Sequence, residues 1–550
     1  MKMNKDAKRA WLMSGLFGVL ASVFLVFGYQ LESGDAINLS DKNALSVLVM
    51  FILIFTIDTR YVWRNYDSAL NGGKLFGMIR LPKGRETAEV PAKDFWVNYL
   101  SMIVLSIPVL MAEYPGFFVY DAQDELNEVL TRSFSTHHPL LHVLLLGCII
   151  ALFHKISGSW NVGIFAYIFL QMLVITAIFA YVVTYLQKRG IGRKSRVLWI
   201  IYYGAFPTIV MYTLCSCKDG LFSSLLLLLT VFLIQLVSDP DAFLSDRKKM
   251  AAFVLTAVLM PMFRHNGFYA YLVFVPFALV YFRKRLKTLL TGMLIAPVVI
   301  YLLFSTVLSA ALSSEGTHHQ EMLTVPIMQL ARVYAYDGDS LSAQEKELIE
   351  AYIPKENLNK YTPRVADLVK VDFNNRLYEE NSSDFWKIWK DQLIKHPLAY
   401  VNAWLLTSYG YWYPPAIINV YKGNTVYSFT YEDSSYFGYE VEPPGERHSL
   451  IPAIDNLYRY LSIGTFQQDA PVLHLFFGPG LYVFIYMFVF AFRLYKKRFI
   501  GILPFMPMIL TLCTVLLGPT YLIRYVLYLW LCIPLLLVTG KSTHEENRAV

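Results

Sequence analysis

Between residues 113 and 142 the chain reads Glu113-Tyr-Pro-Gly-Phe-Phe-Val-Tyr-Asp121-Ala-Gln-Asp124-Glu125 and then Phe134-Ser-Thr-His137-His138-Pro139-Leu-Leu-His142. Asp121, Asp124 and Glu125 fall within five residues, and the histidines run into an apolar stretch. A carboxylate at such a boundary can take a proton from an attacking hydroxyl, and an apolar surrounding would tune its proton affinity. The same groups can hold a divalent cation that neutralises a phosphate. The plain alternative, a solvated acidic loop, is weakened by the adjoining His137-His138-Pro139.

Three further clusters have the same character. Cys215-Ser-Cys217-Lys218-Asp219-Gly220 offers an ammonium for a phosphate and a carboxylate that can join Asp121. Its bland reading is a polar turn between two helices. Cys215 and Cys217 alone fall short of a zinc site, which needs further Cys or His ligands. Phe263-Arg264-His265-Asn266-Gly267 and Gly518-Pro519-Thr520-Tyr521-Leu522-Ile523-Arg524-Tyr525 each place an arginine beside an apolar run. Such a charge is costly unless partnered. Its fork of donors suits phosphate oxygens, whereas the competing reading is snorkelling to the bilayer surface.

The elements that carry these clusters are read from hydropathy. Of 550 residues 56% are hydrophobic and 16% charged, and mean hydropathy is +0.43. A soluble chain this long usually carries about 25% charge. Apolar runs of roughly 18–25 residues recur, the length of membrane spans, and Tyr and Trp gather at their ends as interface anchors do. The expected fold is therefore an all-α polytopic membrane protein with about twelve spans. They are placed at 11–31, 44–60, 96–112, 161–186, 197–214, 219–237, 249–263, 268–282, 288–311, 475–493, 500–517 and 521–539. The first follows Lys2, Lys5, Lys8 and Arg9 and lacks a small-residue cleavage site, so it reads as an uncleaved span.

Basic loops orient the spans. The N-terminus, Arg60 to Lys93, Lys188 to Arg196, Arg247 to Lys249, Arg283 to Lys287, Arg493 to Arg498 and the C-terminal tail all fall on one side, the cytoplasmic one. The net charge of +7 thus reports orientation and not nucleic-acid binding. Residues 139–153 are apolar but short, and a crossing there would invert Lys188–Arg196. They are read as a helix lying on or dipping into the outer leaflet. The five cysteines lie in or beside apolar runs, which excludes a disulfide-stapled outer domain.

Four regions follow: 1–95, two spans and a basic loop; 96–312, a transmembrane core with a first outer loop at 113–160; 313–474, an extracytoplasmic, mostly helical domain between spans nine and ten; and 475–550, the last spans and tail. Inside the large loop, Ser342-Ala-Gln-Glu345 has the capping-box pattern before a helix that Pro354 stops. Ser383 is expected to cap a helix ending before Pro397, and Pro397 to open a third running through Tyr409.

With these positions assembled, the sequence resembles the GT-C superfamily of membrane glycosyltransferases, and within it a bacterial group of unassigned function. Tyr120-Asp121-Ala-Gln-Asp124 resembles the acidic element of that superfamily's first outer loop, His138-Pro139-Leu140 the element that follows, Lys218-Asp219 the second acidic element, and Arg524-Tyr525 the basic position near the last span. The second proline of the His-Pro-Pro element is absent, and Asp219 stands alone where an acidic pair is common. The resemblance implies transfer of a sugar from a polyprenyl-phosphate donor to an extracytoplasmic acceptor with inversion, at a plasma membrane, with both termini cytoplasmic. It implies Asp121 as general base, Asp124 as understudy and His138 as an orienting group, with Lys218, Arg264 and Arg524 on the donor phosphate. Glu125, His137, Asp219, His265 and Asn266 are further candidates. A divalent cation, Mg or Mn, would sit on Asp121, Asp124 and Asp219. The competing classes are a transporter, a lipid-linked glycan flippase or polymerase, and a scaffold whose large loop binds a partner. Transporters usually bind near the bilayer midplane on interrupted helices, whereas these polar clusters sit at span ends.

Overall fold

The computed structural model describes residues 5–70, 73–74, 89–284, 288–316, 318–417 and 439–536. The basic loop read at Arg60–Lys93 lies partly, and the C-terminal tail wholly, outside the described residues. The described chain is helical, with isolated bridges such as Phe117 to Cys215 and no longer strand. Among the described residues seven helices are long and apolar enough to cross a membrane, the make-up of a helical membrane protein.

Helices α1 (Lys5–Gly34), α2 (Lys42–Leu70) and α3 (Ala92–Ala112) open the chain, and a short α4 (Ala122–Thr131) precedes α5 (Leu140–Ser157) and α6 (Trp160–Lys188). The span expected at 197–214 is broken into α7 (Arg193–Ala205) and α8 (Pro207–Thr213). Pro207 has no N–H to continue the ladder and biases Phe206 to extended backbone. Then come α9 (Asp219–Ser238), α10 (Pro240–Ser245), α11 (Arg247–Leu259), α12 (His265–Tyr281) and α13 (Thr288–Leu312). Apolar on all sides, α9 is buried along nearly its whole length, as such a helix must be. The Lys218-Asp219 pair at its start therefore lies deep in the molecule.

The helix ends define two poles. At one, the Asn98 amide donates to Thr184 Oγ1 (3.0 Å) and Gln187 Oε1 (2.9 Å), and Arg196 Nε donates to Asn98 Oδ1 (2.9 Å). The start of α3 thus meets the end of α6 and the start of α7. At the other pole, His448 N–H donates to the Tyr114 carbonyl (2.9 Å) and the Asn161 amide to the Glu446 carbonyl (2.8 Å). Helix α5 is 18 residues long, longer than the 139–153 segment read from sequence, and is itself long enough to cross. Its start nevertheless meets α6 at Tyr167, bonded to His142 at 2.8 Å. That point is only about 10 Å along α6 at 1.5 Å per residue, so α5 accompanies just the first part of α6.

The large loop builds a second core around Ile327, Met328, Ile349, Tyr352, Phe385 and Tyr400. Its main helices are α14 (Thr324–Tyr336), α15 (Ala343–Tyr352), α16 (Ser382–Lys395) and α17 (Pro397–Leu406). The Ser342–Glu345 capping box forms as expected. Asn381, not Ser383, holds the N-cap position of α16, and α17 stops at Leu406, short of Tyr409. The chain returns through α18 (Pro452–Ser462), α19 (Pro479–Tyr495), α20 (Met506–Val515) and short turns over Ile523–Leu536.

The loop domain is tied to the bundle close to Arg524. Ala366 N–H donates to the Pro519 carbonyl (3.0 Å), the Trp404 indole to the Leu516 carbonyl (2.8 Å) and the Tyr411 hydroxyl to the Thr520 carbonyl (3.0 Å). Tyr411 also accepts from Leu522 N–H at 3.0 Å. The aromatic stretch 409–413 thereby fixes the backbone that presents Arg524.

Candidate functional site

Three extended stretches lie side by side. Phe117 N–H donates to the Leu214 carbonyl (3.0 Å), Ser216 N–H to the Phe117 carbonyl (2.8 Å) and Glu442 N–H to the Phe118 carbonyl (2.8 Å). The first stretch ends at Tyr120, whose φ of +63° is rare for a residue with a side chain. Its ring is covered by the Arg524 guanidinium, 4.3 Å from the centroid. Asp121 follows at the N-cap position of α4, yet its carboxylate makes no capping bond, the usual task of an Asp there.

That carboxylate is used for ion pairing. Lys218 Nζ lies 2.7 Å and Arg524 NH1 3.2 Å from Asp121 Oδ2. Arg524 NH1 also lies 3.8 Å from Asp219 Oδ2, and Asp219 is paired in turn with Arg264. The result is an alternating chain, Lys218–Asp121–Arg524–Asp219–Arg264. Lys218 and Arg264 occupy the N-cap positions of α9 and α12, and Pro139 that of α5. The positive ends of four helix dipoles, counting α4, thus converge on the cluster.

Glu125 and His138 complete it. Lys218 Nζ donates to Glu125 Oε1 (3.1 Å) and to His138 Nδ1 (3.0 Å). Accepting at Nδ1 leaves His138 its proton on Nε2. Behind Glu125 stands a buried relay. Its other oxygen pairs with His142 Nδ1, and His142 Nε2 meets the Tyr167 hydroxyl. Gln171 spends its amide on the carbonyls of Thr213 (3.2 Å) and Cys215 (2.6 Å), and its Oε1 accepts from Tyr167 (3.0 Å). The Tyr167 hydroxyl thus bridges His142 Nε2 and Gln171 Oε1.

Burial would raise the Asp121 carboxyl, but Arg524, Lys218 and His138 outweigh it and hold the group well below the usual carboxylate range. Glu125 is likewise drawn down to about 2, burial being overcome by His142 and Lys218. Burial and the neighbouring Lys218 lower His138 to about 3, so it is neutral. The tuning of Asp121 expected from apolar surroundings is therefore overruled by its cations.

The structure brings Asp121, Glu125, His138, Lys218, Asp219, Arg264 and Arg524 together. Asp124, read as the understudy, is exposed on α4, while its neighbour Glu125 is buried in the cluster. His137 is exposed and rests edge-on against His138. His265 meets the Tyr301 hydroxyl (3.2 Å), and Asn266 donates to Thr514 (3.1 Å), so these two support the surroundings of Arg264. The divalent set expected from sequence does not form: Asp124 stays exposed and Asp219 is committed to arginines. The converging donors are instead Asp121, Glu125 and His138, within 4.8 Å of one another. Lys218 Nζ already bonds to all three, and they do not fit a metal while it does so.

Two features were not singled out as site residues from the sequence. The His142–Tyr167–Gln171 relay is partly legible, since His142 follows His138 by one helical turn. Glu442 has no local signal. It is 1% exposed, and neither carboxyl oxygen has a hydrogen-bond partner among the described residues. Burial, then Asp121 and Asp124, push its carboxyl up to about 10. It is held by a clamp next to it: Arg447 pairs with Glu113 (2.7 Å), Tyr439 donates to Glu113 (2.6 Å), and Arg459 pairs with Asp455 (3.1 Å). Asp219 Oδ2 and Arg524 Nε are also buried without a hydrogen-bond partner. Buried polar atoms are rarely left so, and these lie at one place.

The model of a family of unknown function, DUF6020, matches residues 128–550. Its range includes His138, Lys218, Asp219, Arg264, Glu442 and Arg524, and begins after Asp121 and Glu125. No curated protein matches, and no solved structure matches.

Proposed function

The chain belongs to the DUF6020 family, and we propose that it is a GT-C-type membrane glycosyltransferase that moves a sugar from a polyprenyl-phosphate carrier to an extracytoplasmic acceptor. The observation that carries this reading is the buried chain of Lys218, Asp121, Arg524, Asp219 and Arg264 at the meeting of helix starts. Helix N-termini and guanidinium forks are the usual holders of phosphate, and the unpaired Arg524 Nε is a donor in waiting.

In the reaction the acceptor oxygen attacks the anomeric carbon from the face opposite the phosphate. The bond from that carbon to the phosphate oxygen breaks, and the phosphate leaves with the electron pair. Lys218, Arg264 and Arg524 stabilise the charge that develops there; a single well-placed donor of this kind is worth about 3–4 kcal/mol. The acceptor proton passes to Asp121. At rest that carboxylate is a weak base because Lys218 and Arg524 hold it. An arriving phosphate competes for both cations and so raises its basicity when the substrate is in place. His138 orients Lys218 and the acceptor side.

The reading includes a twelve-span topology in which the pole holding 446–448 is extracytoplasmic and α5 lies in the outer leaflet. The partial overlap of α5 with α6 supports it. Cysteines placed at positions 121 and 190 are then labelled from opposite sides of the membrane; labelling from one side contradicts the topology. In membranes supplied with a polyprenyl-phosphate sugar, Asp121→Asn is expected to abolish transfer at normal protein level, and Arg524→Ala to reduce it roughly 100-fold or more. Wild-type transfer by Asp121→Asn contradicts the catalytic assignment.

A further inference from the structure

We infer that Lys218 is a built-in cation standing where a divalent metal would sit, and that its removal uncovers a metal site made of Asp121, Glu125 and His138. Two carboxylate oxygens from the start of α4 and an imidazole nitrogen from the segment ahead of α5 converge within 4.8 Å, the donor set of a Mn2+ or Zn2+ site. At their centre stands Lys218 Nζ, 2.7 Å from Asp121 Oδ2, 3.1 Å from Glu125 Oε1 and 3.0 Å from His138 Nδ1. An ammonium has three N–H donors, and each one has an acceptor here. The side chain is buried, and its backbone is fixed at the N-cap position of α9.

The supporting shell is that of a metal site as well. Ligating groups in such sites are oriented by outer hydrogen bonds, and Glu125 is so oriented by His142, Tyr167 and Gln171. The ammonium supplies the charge from within the chain. It cannot dissociate, and chelators cannot remove it. Under the proposed function, the leaving phosphate meets Lys218 and the two arginines with no exchangeable ion. The metal-site inference itself stands on the geometry and does not require that reading.

The test is Mn2+ binding to the purified full-length chain in detergent, followed by electron paramagnetic resonance and calorimetry, with Zn2+ in parallel. Wild type is expected to bind no stoichiometric metal. Lys218→Met, which keeps the length and loses the charge, is expected to bind about one equivalent, and a further Asp121→Asn change to abolish that binding. Stoichiometric binding by wild type that Asp121→Asn removes overturns the inference, as does a folded Lys218→Met protein that binds neither ion. Should Lys218→Met not accumulate, Lys218→Ala takes its place, and the wild-type result stands by itself. None of these readouts depends on sugar transfer, so failure here and failure of the proposed function are separate results.

Discussion

Arg524 NH1 lies 3.2 Å from Asp121 Oδ2 although the two residues are 403 positions apart. The contact joins the first acidic segment to the last apolar segment and closes the ionic chain on which the functional reading depends. Both side chains are largely buried. Removing one partner from a buried ion pair typically costs about 3–5 kcal/mol, because the other charge is left uncompensated.

Arg524→Ala should therefore lower both stability and transfer, whereas Arg524→Lys restores charge without the fork. The expected order is wild type, then Lys, then Ala, with transfer reduced roughly 100-fold or more in Ala. Arg264→Ala should weaken transfer with a smaller change in melting temperature, because Arg264 is the less buried of the two arginines. Initial rates and thermal melts in detergent measure both.

The relay behind Glu125 gives a graded series. Tyr167→Phe removes one buried hydroxyl and should cost about 1 kcal/mol. His142→Phe strips Glu125 of its main partner and should cost more. Because His142 acts through Glu125 and Lys218, it is a positioning residue. Its loss is expected to change transfer rate and to leave metal binding absent while Lys218 remains. Chemical denaturation of the variants against wild type checks the order.

Glu442 gives a pH signature. Burial, with Asp121 and Asp124 nearby, pushes its carboxyl from the ordinary 4.5 up to about 10. A group with raised folded affinity stabilises fully below its unfolded value, and that contribution is lost as pH rises toward the folded one. Glu442→Gln, which keeps the shape without the ionisation, should therefore melt higher than wild type at pH 9 and nearly with it at pH 5. The gap should grow by at most about 1.4 kcal/mol per pH unit. Asp121 and Glu125 have the opposite sign. Their lowered values predict stability that is present above about pH 4 and lost in acid, a limb that Glu442→Gln leaves unchanged. Melting curves across pH settle both limbs.

The clamp beside Glu442 should be separable from the cluster. Arg447→Ala breaks its pairing with Glu113 and the cover over Phe117, while Lys218, Asp121 and Arg524 keep their mutual contacts. Expected are faster proteolysis of the 439–450 segment and reduced transfer, with little loss of bound polyprenyl phosphate. Equal loss of binding and transfer would place Arg447 in the phosphate site itself.

Much of the helical framework is legible in the chain because membrane spans are long apolar runs. Each of the twelve apolar stretches falls, among the described residues, on a helix or a broken helix near the expected place, and six of them on a helix long enough to cross a membrane. The breaks, such as Phe206–Pro207, follow from proline chemistry that a hydropathy window averages away. The apolar run 139–153 is shorter than the helix because the helix continues past it through His154 and Lys155 to Ser157, and those polar residues hide its end. In the site, Asp121, Lys218, Arg264 and Arg524 are visible as charges beside apolar runs. The choice of Glu125 over Asp124 was not, because it depends on which face of α4 turns inward. Glu442 was invisible for a stronger reason. Nothing near it in sequence marks it, and only the clamp through Glu113, Arg447 and Tyr439 brings it to Phe118.

The central claim is that the cluster holds the phosphate of a lipid carrier. Native mass spectrometry of the purified chain with polyprenyl phosphate tests it most directly. Wild type should retain the lipid, Arg524→Ala and Lys218→Met should lose at least roughly 10-fold in affinity, about 1.4 kcal/mol, and His319→Ala, which removes a pairing with Glu379 (3.1 Å) in the loop domain, should bind as wild type does. Equal retention by wild type, Arg524→Ala and Lys218→Met would contradict the account.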